Sequence, residues 1–444
     1  MRFVRCVVLA LAALTCGLSL CMGQAADAAQ PAPQSSAQAT AAQPASTDAY
    51  TLTPEKLAQA KALNRIRLTL EIVGTLWGLA VLWILLARRW ATGLEKWAGS
   101  IVRFRWIQGL IFFAVFTVIT TIASLPLDAI GHAASRHYGI SVQQWGSWLG
   151  DQGKSLALGI LIGSPILLLF NWIVRVSPRR YWIWVWIISL PLIVASVVLA
   201  PLVTDPLFNK FEPLMKTHAP LVTKLETVVA RTGTNIPPER MFLMKASEKS
   251  NGINAYVTGL GATKRFVMWD TTTDRMPDDE ILFVFGHESG HYVRNHIPKM
   301  LAIFSAMLFF VFWGCARFGE WLVRRFGARW GIESVAGRAG FLTLIFAISI
   351  VGFFLTPVTN TISRHYEHEA DIFGQEAIHG LVPDPVKTSV SAFNHLGEAW
   401  LEDPDPSPIV EFWDYNHPSV QTRAKFARQY DPWANGGKGK FFDK

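Results

Sequence analysis

The segment His287-Glu288-Ser289-Gly290-His291 sets two imidazoles four positions apart with a carboxylate beside the first. On a helix, residues i and i+4 leave the same face, so both rings can reach one metal ion while Glu288 stands next to a metal-bound water. The chemistry this pattern suits is hydrolysis: zinc acidifies a water and polarises a carbonyl, and the carboxylate takes the proton and passes it to the leaving amine. Chance produces the three letters at this spacing in roughly one chain in a hundred of this length. A catalytic zinc takes three protein ligands and keeps one position open, so a third ligand is expected downstream. Glu367-His368-Glu369-Ala370-Asp371 offers it. Glu367 and Asp371 are four apart, so one carboxylate can ligate while the other accepts a hydrogen bond from a ligand histidine and fixes its tautomer. Glu369 lies off that face, and His365 and His368 are alternatives by residue type.

Positioning these groups requires a helix for the first motif. Asp278, Asp279 and Glu280 supply the acidic first turn of one, running on through Ile281, Phe285 and His291. Before it, residues 241–245, 255–260 and 265–270 read as short strands, the last two joined by a turn at 261–263. This polar insert of about ninety residues and a second polar segment near the C-terminus are the only stretches able to form a water-facing unit. The rest is apolar at near-spanning length: residues 68–86, 107–127, 156–174, 182–203, 300–316 and 341–357. The 444 residues are 51% hydrophobic and 17% charged, with 18 Trp and 28 Phe, a membrane composition.

Net charge is +8, but the arginines flank apolar runs instead of forming one basic face, so nucleic acid is not an expected partner. Arg88, Arg89, Lys96, Arg103 and Arg105 fall in one interspan loop, Arg175, Arg179 and Arg180 in another, and Arg317, Arg324, Arg325, Arg329 and Arg338 in a third. These loops share one side, which the positive-inside rule makes cytoplasmic. Residues 1–26 carry Arg2 and Arg5, an apolar run and small residues, the pattern of an export signal or a first span. Residues 27–67 are a low-complexity linker and short helix. Cys6, Cys16 and Cys21 in the first stretch and Cys315 in a later one form no metal-site or disulfide pattern.

Asn360, Ser363-Arg364, Glu367 and Ala370-Asp371 after an H-E-x-x-H helix resemble the type I CAAX prenyl protease family, integral-membrane gluzincin zinc metalloproteases, in a bacterial-type form. Residues 206–214 just after a span, Asn254-Ala255-Tyr256, and His417-Pro418 followed by Arg423 agree, and the likeness runs from about Tyr50 to Tyr430. The resemblance implies Glu367 as third zinc ligand, Asn254 as a binder of substrate backbone beside an edge strand, and His417 as a stabiliser of the oxyanion. Asp371 is expected behind the ligands, with Arg364 bracing the ligand helix or pairing with an acidic side chain, and Arg423 beside His417 or a substrate carboxylate.

The expected fold is an α-helical integral membrane protein of six to seven spans carrying a small α+β gluzincin-type unit. Residues 68–203 form four spans, 204–298 a catalytic insert, 299–357 two further spans, 358–430 the third-ligand helix and C-terminal catalytic segment, and 431–444 a flexible tail. The fifth and sixth spans are expected to continue the ligand helices. The expected function is a zinc-dependent membrane metalloendopeptidase holding one Zn2+, acting on a membrane-associated or exported peptide or protein, its catalytic unit on the periplasmic side of a bacterial inner membrane. A membrane transporter or scaffold with structural zinc is the alternative, but such sites are closed by four protein ligands and need no glutamate beside the first histidine.

Overall fold

The computed structural model describes residues 49–442 except residue 435. The export-signal reading of residues 1–26, with its three cysteines and a seventh span, lies outside the described residues, as does most of the linker. Six helices among the described residues are long and apolar enough to cross a membrane: α1 (Pro54–Ala87), α3 (Arg105–His137), α4 (Trp145–Val176), α5 (Tyr181–Phe208), α9 (His296–Trp330) and α10 (Arg338–Ala377). Between the first two lies α2 (Trp90–Ile101). The chain is an integral membrane protein. Helix α1 starts at Pro54, whose fixed φ suits a first turn, and Thr53 caps it by accepting from the Lys56 amide. The expected short linker helix is therefore the N-terminal part of the first span, from Pro54 to Arg67.

The water-facing unit combines the insert with the C-terminal segment. Helix α6 (Ala219–Thr232), a short α7 (Asp270–Arg275) and α8 (Asp278–Val293) pack with α11 (Pro385–Trp400), α12 (Pro408–Asp414) and α13 (Val420–Gln429). Their shared core includes Val228, Phe266, Phe285, Phe373, Phe393 and Ala424, all buried. Four strands, β1 (Phe211–Pro213), β2 (Met241–Met244), β3 (Ala255–Thr258) and β4 (Arg265–Trp269), pair in the order β1-β2-β4-β3. The β2–β4 pair is parallel and the outer two pairs are antiparallel, which leaves β3 at the edge nearest α8. The sequence signals three of these strands. β1 is three residues long with a proline in it, below the length at which alternation can be read.

At the ligand helices the sixth span meets expectation and the fifth does not. Pro357 lies inside α10, which runs 40 residues without a break, so the sixth span and the helix of Glu367 are one rod. The fifth span does not continue the HExxH helix: α8 ends at Val293, and Asn295 adopts φ 56° before α9 begins at His296. Asparagine tolerates this left-handed conformation, and one such residue is enough to turn the chain.

Helix ends sort into two levels. At one, Arg89 Nε donates to the Arg329 carbonyl (2.8 Å), and Arg338 donates through its guanidinium to the Arg105 carbonyl (2.9 Å) and through its amide to Glu95 (3.1 Å). The first and third Arg-rich loops thus meet. At the other, Lys249 Nζ reaches Asp151 (2.5 Å) and the Val142 amide donates to the Lys249 carbonyl (3.3 Å), joining the α3–α4 loop to the water-facing unit. The cations at the start of α1 are engaged here too, Lys56 with Glu398 and Arg67 with the Trp400 carbonyl.

Candidate active site

Helix α10 crosses α8 where both carry glycine. A Cβ on Gly374 would stand 2.8 Å from the His287 nitrogen, and one on Gly286 3.2 Å from the Gly374 carbonyl oxygen. That approach of two backbones brings Glu367, Asp371 and Gly374, at i, i+4 and i+7 on one stripe, against the face of α8 that bears His287 and His291.

The ligand atoms of His287, His291 and Glu367 all lie within 4.8 Å of one another, and the three residues are buried. The two Nε2 atoms face each other at 3.2 Å, with Glu367 Oε2 3.3 Å from His287 Nε2 and Oε1 3.5 Å from His291 Nε2. Oε2 of Glu367 is buried and takes no hydrogen bond, although two imidazole nitrogens lie 3.2 and 3.3 Å away. Two imidazoles and a carboxylate are a donor set that zinc takes in catalytic sites, and a cation would satisfy that oxygen. The electrostatics agree. Burial opposes charge on His287, but the adjacent Asp371 and Glu367 carboxylates outweigh it and raise the ring to about 9, so the cage favours positive charge at its centre.

His365 and His368, the alternatives by type, are outside this cluster, His368 packing instead on Phe426. Asp371 Oδ1 lies 2.9 Å from His287 Nδ1, the ring nitrogen facing away from the cage. Arg423 grips the same carboxylate twice, Nε to Oδ2 at 2.9 Å and Nη2 to Oδ1 at 2.6 Å. Arg423, expected beside His417 or a substrate carboxylate, borders the same cavity as His417, and its nearly buried guanidinium pairs with Asp371 in a bidentate geometry. Burial disfavours its charge, yet the Asp371 carboxylate more than compensates and raises its pKa.

Arg364 stands on the ligand helix itself and links it to α12 through backbone carbonyls. It donates to the Glu411 carbonyl at 3.0 Å and to the Tyr415 carbonyl, and Asn360 Nδ2 donates to the Trp413 carbonyl at 2.7 Å. Both side chains therefore tie down α12, the segment that delivers His417. His417 Nε2 lies 3.2 Å from Glu367 Oε2, and burial pulls its pKa down to about 4.

Glu288 lines a cavity of about 920 Å3 that also touches Asn254, His417, Arg67, Asp128 and Asn360, running from the histidine cage toward the membrane bundle. Burial pushes the Glu288 carboxyl up. Its Oε2 accepts from the Val257 amide of the edge strand at 3.2 Å, a contact that needs a strand register no spacing rule supplies. Asn254 is held by its backbone: its amide donates to Thr272 Oγ1 at 2.9 Å, and its carbonyl accepts from the Trp269 amide at 3.0 Å. The residue borders the cavity. His296 and Glu369, unflagged or set aside by the sequence, also approach the cage. The only available signal for His296 is its place five residues after His291, a spacing that no continuous helix would turn into contact.

Comparison with known proteins agrees with this architecture. Residues 35–210 match the family described as CAAX prenyl protease N-terminal, five membrane helices, and residues 216–431 match peptidase family M48. The metalloprotease YhfN of Bacillus subtilis is 32% identical over 378 residues, covering 85% of this chain and 86% of its own. CAAX prenyl protease 1 of Saccharomyces cerevisiae is 28% identical over 342 residues, 71% of each chain. The crystal structure of Ste24p from S. mikatae superposes with a TM-score of 0.72 at 24% identity, over 85% of this chain and 89% of that one, and shares the fold. The chain belongs to peptidase family M48 and is a membrane metalloprotease related to the CAAX prenyl proteases.

Proposed function

We propose that this protein is a zinc-dependent endopeptidase in which His287, His291 and Glu367 hold one Zn2+ and Glu288 is the general base. The observation that carries the reading is the cage itself, three buried donors around one point with the Glu288 carboxylate on the adjoining cavity wall. Bound there, zinc would supply Lewis acidity to a water and to the scissile carbonyl. Glu288, raised in pKa by burial, is suited to accept a proton and release it to the leaving amine. His417 steadies the oxyanion through Nε2–H. Asn416 Oδ1 lies 2.8 Å from His417 Nδ1, and the Nε2–H tautomer requires the Asn416 amide turned so that its NH2 donates to that nitrogen instead. Asn254 and edge strand β3 receive the substrate backbone, and Asp371, held by Arg423, orients His287.

The substrate is a membrane-associated or exported peptide or protein, reached through the cavity between the bundle and the catalytic unit. The catalytic unit faces the periplasm of a bacterial inner membrane, because the Arg-rich loops gather at the far end of the spans. CAAX processing of a lipidated chain, the activity named for the yeast relative, differs from this only in substrate. The deciding experiment is Glu288→Gln in the full chain. Zinc content should stay at one per chain while cleavage of a reporter peptide disappears. Retained cleavage would remove Glu288 from the mechanism.

A further inference from the structure

His296 is the first residue of α9 and is fully buried, 0% exposed. The left-handed turn at Asn295 folds it back onto the end of α8. Its Nδ1 lies 3.2 Å from His291 Nδ1, and its Nε2 lies 3.1 Å from Glu369 Oε2. The Tyr366 ring flanks it, with centroids 4.7 Å apart.

Hydrogen-bond bookkeeping fixes the protons along this line. His291 turns Nε2 toward His287 and Glu367, so Nε2 is the atom with a lone pair for a metal and Nδ1 carries the hydrogen. That hydrogen needs an acceptor, and the atom facing it is Nδ1 of His296. An imidazole can accept at Nδ1 only with its own hydrogen on Nε2, where the Glu369 carboxylate accepts it. Each donor in the chain thus meets one acceptor.

We propose that His296 and Glu369 form a positioning relay that fixes the tautomer and ring orientation of His291 for metal binding. The proposal rests on the reading of His287, His291 and Glu367 as zinc ligands. The cage is then supported unequally: Asp371 touches the Nδ1 of His287 directly, whereas the nearest carboxylate on the His291 side acts through a second imidazole. Neither His296 nor Glu369 is a ligand, and neither contacts substrate.

The test is zinc affinity of the full-length protein in detergent, measured by chelator competition, for wild type, His296→Leu, Glu369→Ala and the double variant, with the visible spectrum of the Co2+-loaded forms. His296→Leu should weaken zinc binding about 10- to 100-fold, the usual effect of removing a partner behind a ligand histidine. Glu369→Ala should weaken it less, and should add nothing once His296 is Leu, because the carboxylate reaches the ligands through that ring, its other ion pair being with Lys440 at 3.7 Å. The Co2+ bands should shift in both single variants. Glu369 is at the surface end of the relay, its side chain 16% exposed, so Glu369→Ala tests the proposal even if His296→Leu fails to fold. Affinity within about twofold of wild type in Glu369→Ala, with unchanged Co2+ bands, would overturn the relay and leave these residues as packing alone, whether or not melting temperature falls. A wild-type protein that binds no zinc would overturn the ligand reading as well, a result distinct from intact binding that ignores both substitutions.

Discussion

Gly374→Ala puts two magnitudes in opposition. An interior helical glycine replaced by alanine gains about 1 kcal/mol from propensity alone. Here the added Cβ would stand 2.8 Å from the His287 nitrogen and 3.1 Å from both the His287 Cα and the Phe283 carbonyl oxygen, all backbone atoms that no rotamer change can move aside. Ordinary contact begins near 3.4 Å, so α8 and α10 must part by about 0.6 Å or more, and overpacking of this kind costs about 1–3 kcal/mol. The net effect is a loss of up to about 2 kcal/mol, or near balance if the helices yield easily. Metal binding is the sharper readout. Glu367 lies two turns before Gly374 on the same stripe, and a cage needs its donors held to within about 0.5 Å, so zinc affinity should fall about tenfold or more even where stability barely changes. Thermal unfolding and chelator competition on the same preparation measure both. Gly153→Ala, where an added Cβ meets nothing within 4 Å, is the control and should leave zinc affinity alone. A Gly374→Ala protein that is more stable than wild type and binds zinc equally well would refute the argument that backbone contact sets the cage.

Glu367→Ala should lose stoichiometric zinc, whereas Asp371→Asn should keep it with affinity or activity lowered about 10- to 100-fold; wild-type values in Asp371→Asn would remove it from the site. Burial raises the Glu402 carboxyl to about 7, against the pull of the Val420 amide and of Arg423 and Arg67. A carboxyl raised above its unfolded value holds its proton more tightly when folded, so stability falls as pH rises from about 4.5 to 7. Glu402→Gln should therefore raise the melting temperature at pH 8 and leave it nearly unchanged at pH 4; equal shifts at both would refute the assignment. For orientation, an export-dependent phosphatase fused within residues 139–148 should be active and one fused within 327–331 silent. The reverse pattern would turn the catalytic unit toward the cytoplasm.

Much of this arrangement is legible in sequence because the governing signals are local or periodic. The six spans announce themselves by apolar length, the HExxH helix by its acidic first turn, and the Glu367–Asp371 pair by one helical period. What escaped depends on contacts between distant segments. Arg423 and Arg364 offer only a residue type, and whether each meets a carboxylate, a carbonyl or substrate is decided by where α12 and α13 pack. The apolar stretch ends at Pro357, yet α10 passes through it, as proline within a membrane helix commonly allows. In the tail, the amides of Phe441 and Phe442 donate to the buried Glu376 at 2.7 and 3.0 Å, a docking with no periodic signature.

The unbroken α10 makes the bilayer part of the instrument that aligns the cage. Glu367 stands 29 residues beyond Arg338 on the same rod, a lever of about 44 Å at 1.5 Å per residue, so one degree of tilt about the far end displaces it by roughly 0.8 Å. The two histidines hang from a different rod, α9, through a two-residue hinge. Lipid thickness that tilts the two spans unequally would strain the seam where the glycines touch, so a mismatch in the bilayer would be felt at the cage rather than absorbed at a helix break.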